Sequence, residues 1–159
     1  MDIAKLLSEM TTKEKAAQLT MLTANYLKEG NNAMVTGTVE DIEASKEELA
    51  ALGFILGAIG AKEVKKIQRE YLKNSRLKIP LIFAFDVMHG FRTIFPIPLA
   101  FGATFNPSYA EECAKISARE ASASGVMLNF SPMVDLVRDP RWGRVSESTG
   151  EDPYLNALF

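Results

Sequence analysis

The sequence predicts an α/β fold in which short buried strands alternate with amphipathic helices around a parallel sheet. Three observations carry that prediction. GFILGAIG (53–60), IPLIFAFDV (79–87) and GVMLNFSP (125–132) are short apolar runs flanked or interrupted by Gly or Pro, as strands buried on both faces are. The chain between these runs has helical periodicity and cap signals. The second and third runs are each followed at once by charged residues, as where ligands gather beyond the carboxyl ends of parallel strands. Periodicity alone leaves open whether the sheet is doubly wound or part of a barrel.

Taken in order, Thr11 and Glu14 have the T-x-x-E spacing of a capping box, in which each side chain satisfies a free backbone N–H of the other. Ala16, Ala17, Leu19, Thr20 and Leu22 continue that helix. Residues 26–38 are rich in Gly and Asn and read as loop; residues 40–52 read as a charged helix. Residues 61–74 form a helix with Val64, Ile67, Tyr71 and Leu72 on one face. Pro80 fits the start of the second strand, where a missing N–H costs little. FPIPLAFG (95–102) is too proline-rich for a central strand and reads as a shaped loop. Asn106 suits an N-cap, with Pro107 at the first helical position and Gly125 past the last turn. Glu111 and Lys115 form an i, i+4 pair on that helix. The remainder, MVDLVRDPRWGRVSESTGEDPYL, is polar loop dense in charge.

With 159 residues the chain has the length of one domain, and 47% hydrophobic with 24% charged residues is the balance of an ordinary globular protein. A net charge of −2 gives no electrostatic case for nucleic acid or for an anionic membrane. No apolar run approaches the ~20 residues of a membrane span. The single cysteine, Cys113, rules out an intrachain disulfide framework and a multi-cysteine metal site, and it reads as a buried thiol. There is neither a GxGxxG nor a GxxxxGK[ST] phosphate loop. MDIAKLLSEMTTKEKAAQL interleaves charges with apolar residues and has no h-region, so the chain is expected to be cytoplasmic. No cofactor and no metal are expected.

The chemistry concentrates after two strands. Asp86 ends the second, with His89, Gly90 and Arg92 close behind; Asp135, Arg138, Asp139, Arg141, Trp142, Arg144 and Glu147 follow the third. An aspartate at the end of an apolar strand caps a helix, pairs with an arginine such as Arg92, or binds a ligand, because an unpaired buried carboxylate is costly. The RDPRWGR stretch is either a salt-bridge cluster ordering a long loop or a binding surface. His89, the only histidine, reads as a hydrogen-bonded structural residue. Trp142 is either a stacking platform or a cover for the loop. Together these groups suit a polyol: a carboxylate accepts from vicinal hydroxyls, arginine donates in a fixed fork, and an aromatic ring covers the sugar's apolar face.

DVMHGFRTIFPIPLAFGATFNP (86–107) and SPMVDLVRDPRWGRVSESTGEDPYL (131–155) resemble the two signature stretches of family 3 glycoside hydrolases, and MTTKEKAAQLT (10–20) resembles the family's opening helix. The resemblance runs through nearly the whole chain and is weakest over 24–52. It implies a (β/α)₈ TIM-type barrel followed by an α/β sandwich domain, with residues 1–159 as the N-terminal part of the barrel domain, since a closed barrel needs about 250 residues. It implies a β-glucosidase-type, retaining hydrolase acting on terminal β-linked glucosyl or related residues, with a β-glucoside or oligosaccharide as substrate. By the same resemblance Asp86, Arg92 and Arg144 bind substrate in the −1 subsite, and Arg138, Arg141 and Glu147 organise the loop. The nucleophile and acid/base are expected outside these residues, so the chain alone is expected to be inactive and to associate with the remainder or with itself. The alternative is a non-catalytic carbohydrate-binding α/β module.

Overall fold

The computed structural model describes residues 2–27 and 45–159. They divide into two compact units: Met1–Phe85 with Ser124–Leu128, and Asp86–Ala123 with Asn129–Phe159.

The first unit opens with α1 (Ile3–Glu9) and α2 (Thr12–Gln18). The expected capping box starts α2: Glu14 N–H donates to Thr11 Oγ1 at 3.2 Å, and Thr11 N–H donates to Glu14 Oε2 at 2.8 Å. Arg76 adds a fork to the same carboxylate at 2.8 and 2.7 Å, and this arginine together with the cap holds Glu14 down at about 2. The helix ends sooner than its periodicity suggests. Leu19 is its C-cap, and Met21–Thr23 form strand β1, so Leu22 belongs to a strand and not to the first helix. A 3-10 turn, Ala24–Leu27, follows, which puts Tyr26 in a helical turn where a loop was expected. Residues 28–44, covering most of that loop and the start of the expected 40–52 helix, lie outside the described residues. Of that helix the described part is the single turn α3 (Lys46–Leu49), with a capping box between Ser45 and Glu48.

Strand β2 (Phe54–Leu56), α4 (Ala61–Asn74) and β3 (Ile82–Phe85) match expectation closely. Val64, Ile67 and Tyr71 are the buried residues of α4, as the spacing predicts, and the Tyr71 hydroxyl donates to the Leu52 carbonyl at 2.7 Å. The strands align Leu22 with Ile55 and Ile55 with Phe83. This row meets Leu52, Val64, Ile67, Tyr71 and Leu81 to form the core. Burying each such side chain stabilises the fold by about 1.5–3 kcal/mol. The other strand face is less covered: Phe54 and Leu56 are half-buried, and Ile82 is 38% exposed. Gly125, at φ +96°, has its backbone so close to Val64 that a Cβ would sit 2.7 Å from Cγ1.

The third expected strand survives only as β4 (Leu128–Asn129), and it is not buried on both faces, since Met127 is 66% exposed. The sheet order is β1-β2-β3-β4, with β1–β2 and β2–β3 parallel. A doubly wound sheet reverses its strand order at a switch point, whereas a barrel adds each strand beside the last. The uninterrupted order settles the ambiguity that periodicity left, in favour of part of a barrel.

The second unit contains α5 (Pro98–Gly102), α6 (Pro107–Ala123) and α7 (Pro153–Leu158). The proline-rich 95–102 segment is therefore not all loop: Pro98 sits in the first turn of a five-residue helix, where its missing N–H is no loss. Asn106 caps α6 through its Oδ1, which accepts from the Ser108 N–H at 3.2 Å, and Lys115 pairs with Glu111 at 2.8 Å. Cys113 is buried on this helix, and burial pushes its thiol up, away from the thiolate.

Candidate functional site

All six residues singled out by the sequence lie in the second unit, on the loops that follow β3 and β4. Asp86 comes directly after Phe85, the last residue of β3, and is exposed. Among the described residues it has neither a hydrogen-bond nor an ion-pair partner. The next helix begins only at Pro98 and has Ile97 as its N-cap, so Asp86 is not a cap, and it does not pair with Arg92. What fixes its neighbourhood is Val87. The Val87 N–H donates to Asn129 Oδ1 at 2.9 Å, the Ser131 hydroxyl donates to the Val87 carbonyl at 2.7 Å, and Asn129 Nδ2 donates to Ser131 Oγ at 2.8 Å. The Val87 N–H and carbonyl, next to Asp86, are thus held by the end of β4 and the loop that follows it.

Beyond Val87 the chain makes a pinched loop. Phe95 N–H donates to the His89 carbonyl at 2.8 Å, and His89 Nδ1 lies 3.0 Å from the Phe95 carbonyl, which makes it the protonated nitrogen. His89 is therefore the hydrogen-bonded structural residue that was expected. Gly90, at φ +115°, bridges to Ile94 so tightly that a Cβ would lie 2.0 Å from the Thr93 carbonyl oxygen. Arg92 is exposed, and its guanidinium has no hydrogen-bond or ion-pair partner among the described residues.

The loop after β4 is organised by short-range pairs and by one buried hydroxyl. Arg141 is forked onto Asp139, with Nε at 2.9 Å from Oδ1, and holds that carboxyl below its usual range. Arg144 is forked onto Glu147 across the 3-10 turn Val145–Glu147, at 3.0 and 2.7 Å, and each holds the other in its charged form. With side chains 56% and 30% exposed, this pair is screened by solvent, so its effect is orientation and not stability. The carboxylates of Asp135 and Asp86 also favour Arg144's charge, which brings the two loops to one electrostatic cluster. Arg138 is exposed and has no such partner among the described residues. Trp142 is half-buried. Ser148, fully buried, donates to the Asp135 carbonyl at 2.9 Å, and α5 packs on this segment so closely that a Cβ on Gly102 would sit 1.8 Å from the Thr149 carbonyl. Among the described residues no cluster of three or more His, Cys, Asp or Glu could hold a metal ion, and no helix is long and apolar enough to cross a membrane.

Sequence reasoning missed Asn129, Ser131 and Ser148, which hold these loops. The one available signal was Asn129, a polar residue inside the apolar run VMLNF. The others are ordinary surface-type residues whose role appears only when distant segments meet.

Comparison with known proteins decides the family. The model of the glycosyl hydrolase family 3 N-terminal domain matches residues 11–159. The chain belongs to glycoside hydrolase family 3. A periplasmic β-glucosidase of Salmonella typhimurium is 37% identical over 99% of this chain and 19% of its own length. A crystal structure of a β-glucosidase from Listeria innocua in complex with glucose superposes with a TM-score of 0.88, at 46% identity over 99% of this chain and 23% of that one. A second structure, of a β-glucosidase from Erythrobacter marinus, gives 0.77 at 28% identity over 98% and 21%. The family 3 segment thus spans about a fifth of the length of these relatives. The Salmonella enzyme, periplasmic by name, overturns the expected cytoplasmic location. Interleaved charges at residues 1–19 of a stretch matching 19% of such a protein are no measure of where the protein resides.

Proposed function

We propose that this family 3 segment supplies the sugar-gripping part of the −1 subsite of a retaining β-glucosidase. On this reading residues 1–159 are the N-terminal part of a barrel domain. The rest of the barrel, an α/β sandwich domain, the nucleophile and the acid/base lie in further polypeptide. The carrying observation is Asp86: a carboxylate held at a strand end by a fixed backbone, neither capping nor paired, beside an arginine whose charge it stabilises. Such a group is ready to accept from two adjacent hydroxyls without first breaking a protein contact. Arg92 and Arg144 donate to the same sugar, Arg144 from an orientation set by Glu147. The Listeria innocua β-glucosidase, similar over 99% of this chain, is known in complex with glucose and, as a mutant, with laminaribiose. That similarity makes a β-glucoside the natural substrate class here, and the Salmonella relative points to a periplasmic setting for it.

Hydrolysis with retention needs two carboxyl groups about 5–5.5 Å apart, one as nucleophile and one as acid/base. The full polypeptide carrying this segment is therefore expected to cleave an aryl β-glucoside, with the β-anomer of glucose formed first in the proton NMR spectrum. The purified 159-residue chain is expected to give no turnover above buffer. It is also expected to self-associate or aggregate in light scattering, because Ile94, Phe105, Val134 and Tyr154 are each 70% or more exposed. Turnover by the isolated chain, or a monodisperse monomer with a cooperative melt, would contradict this division of labour.

A further inference from the structure

Arg92 presents a physical problem that its own loop does not solve. A guanidinium that donates to a sugar must be held in place, and among the described residues no carboxylate forks onto Arg92 as Glu147 does onto Arg144. The structure resolves this through α6. Glu120 Oε2 accepts from the backbone N–H groups of both Arg92 and Thr93, each at 2.8 Å, and Oε1 accepts from the Thr93 hydroxyl at 2.7 Å. The carboxylate makes no bond to the Arg92 side chain. It fixes the main chain beneath the arginine and leaves the guanidinium free to donate. The neck of the same loop is closed separately by the His89–Phe95 pairing, so the tip is anchored by Glu120 and the base by the chain itself.

We propose that Glu120 is a positioning residue, which sets the reach and direction of Arg92 toward substrate by clamping the Arg92–Thr93 backbone to α6. This inference rests on the reading of Arg92 as a sugar ligand. It goes beyond that reading by assigning a residue that lies outside both signature stretches. The bonds of Glu120 to this loop are to the Arg92 and Thr93 backbone and the Thr93 hydroxyl, so on this reading its effect passes through Arg92. The hydrogen bonds hold the carboxyl below its usual range, those from Thr93 contributing most, so the clamp is in its charged form at neutral pH.

The test is a mutant cycle in the full polypeptide that carries this segment, read by kcat and KM on an aryl β-glucoside and by thermal melting. Arg92→Ala is expected to lower kcat/KM by about 100-fold, the scale of one lost charged hydrogen bond in a site. Glu120→Ala is expected to lower it by about 10- to 100-fold, as a misplaced ligand does, with melting little changed because the freed N–H groups reach water. The double variant is expected to lose no more than Arg92→Ala alone, because Glu120 has nothing left to position. Glu120→Gln, whose amide oxygen can still accept from both backbone N–H groups, is expected to retain activity within about 3-fold. If Glu120→Ala does not fold, the cycle is run with Glu120→Asp, which keeps the charge and shortens the reach. Should Arg92→Ala cost much and the Glu120 variant nothing, the positioning role fails while the sugar-binding reading stands. Losses that multiply in the double variant would also overturn it, because they mark a structural role independent of Arg92. A harmless Arg92→Ala overturns the reading of Arg92 and the role of Glu120 together.

Discussion

Asp86→Asn, in the full polypeptide that carries this segment, is expected to lower kcat/KM on an aryl β-glucoside at least about 100-fold while the fold survives. The substitution keeps shape and removes charge. Losing a charged hydrogen-bond partner in a water-poor site costs about 2–4 kcal/mol, or roughly 30- to 1,000-fold. No hydrogen bond or ion pair of the fold depends on that charge, because Asp86 is exposed and has no such partner among the described residues. Val87, which anchors the loop, is held by its backbone and not by the aspartate. Had Asp86 been a helix cap, asparagine would serve as well, and neither stability nor activity would move. Kinetics of the purified variant near those of the wild type would remove Asp86 from the site and weaken the whole sugar-binding reading.

Gly90→Ala is the second large effect expected. At φ +115° an L residue is strained, and its Cβ would meet the Thr93 carbonyl oxygen at 2.0 Å, so the loop from His89 to Phe95 cannot keep its shape. Strain of this kind costs about 1–3 kcal/mol. The moved loop also carries Arg92 away and loosens the Glu120 clamp, so kcat/KM should fall by about 100-fold or more. Gly143→Ala is the matched control for stability, because its Cβ would meet nothing within 4 Å and its φ is not positive. A Gly90→Ala enzyme with an unchanged melt and unchanged kinetics would show that the loop is far softer than its bonds imply.

Much of this architecture was legible in the residues because single segments decide it. The 3- and 4-residue spacing of Val64, Ile67 and Tyr71 is enough to specify α4, and Asn106 with Pro107 is enough to start α6. The elements that escaped are those decided by contacts distant in sequence. Strand β1 continues straight on from a good helix, and nothing between Gln18 and Met21 is a breaker. The helix stops where Gln18 turns to the next layer, its amide donating to the Ala51 carbonyl at 2.6 Å. Strand β1 then exists because it pairs with β2. The 95–102 segment hid a helix because its prolines read as breakers, although one of them occupies the first turn, the position where proline is favoured.

The site divides in the same way. Asp86, Arg92 and Arg144 announce themselves as charges placed after strands. The residues that hold those loops in shape, Glu120, Asn129, Ser131 and Ser148, act on backbone groups up to 44 positions away, and no local pattern marks such contacts.

The central claim, that Asp86 grips the sugar, is tested most directly by a crystal structure of the full polypeptide with glucose bound. The two Asp86 oxygens are expected to accept from adjacent hydroxyls of one glucose at about 2.5–3.0 Å, with the Arg92 and Arg144 guanidinium groups donating to the same ring. Glucose bound in an ordered site with Asp86 more than about 4 Å from every hydroxyl would contradict the account.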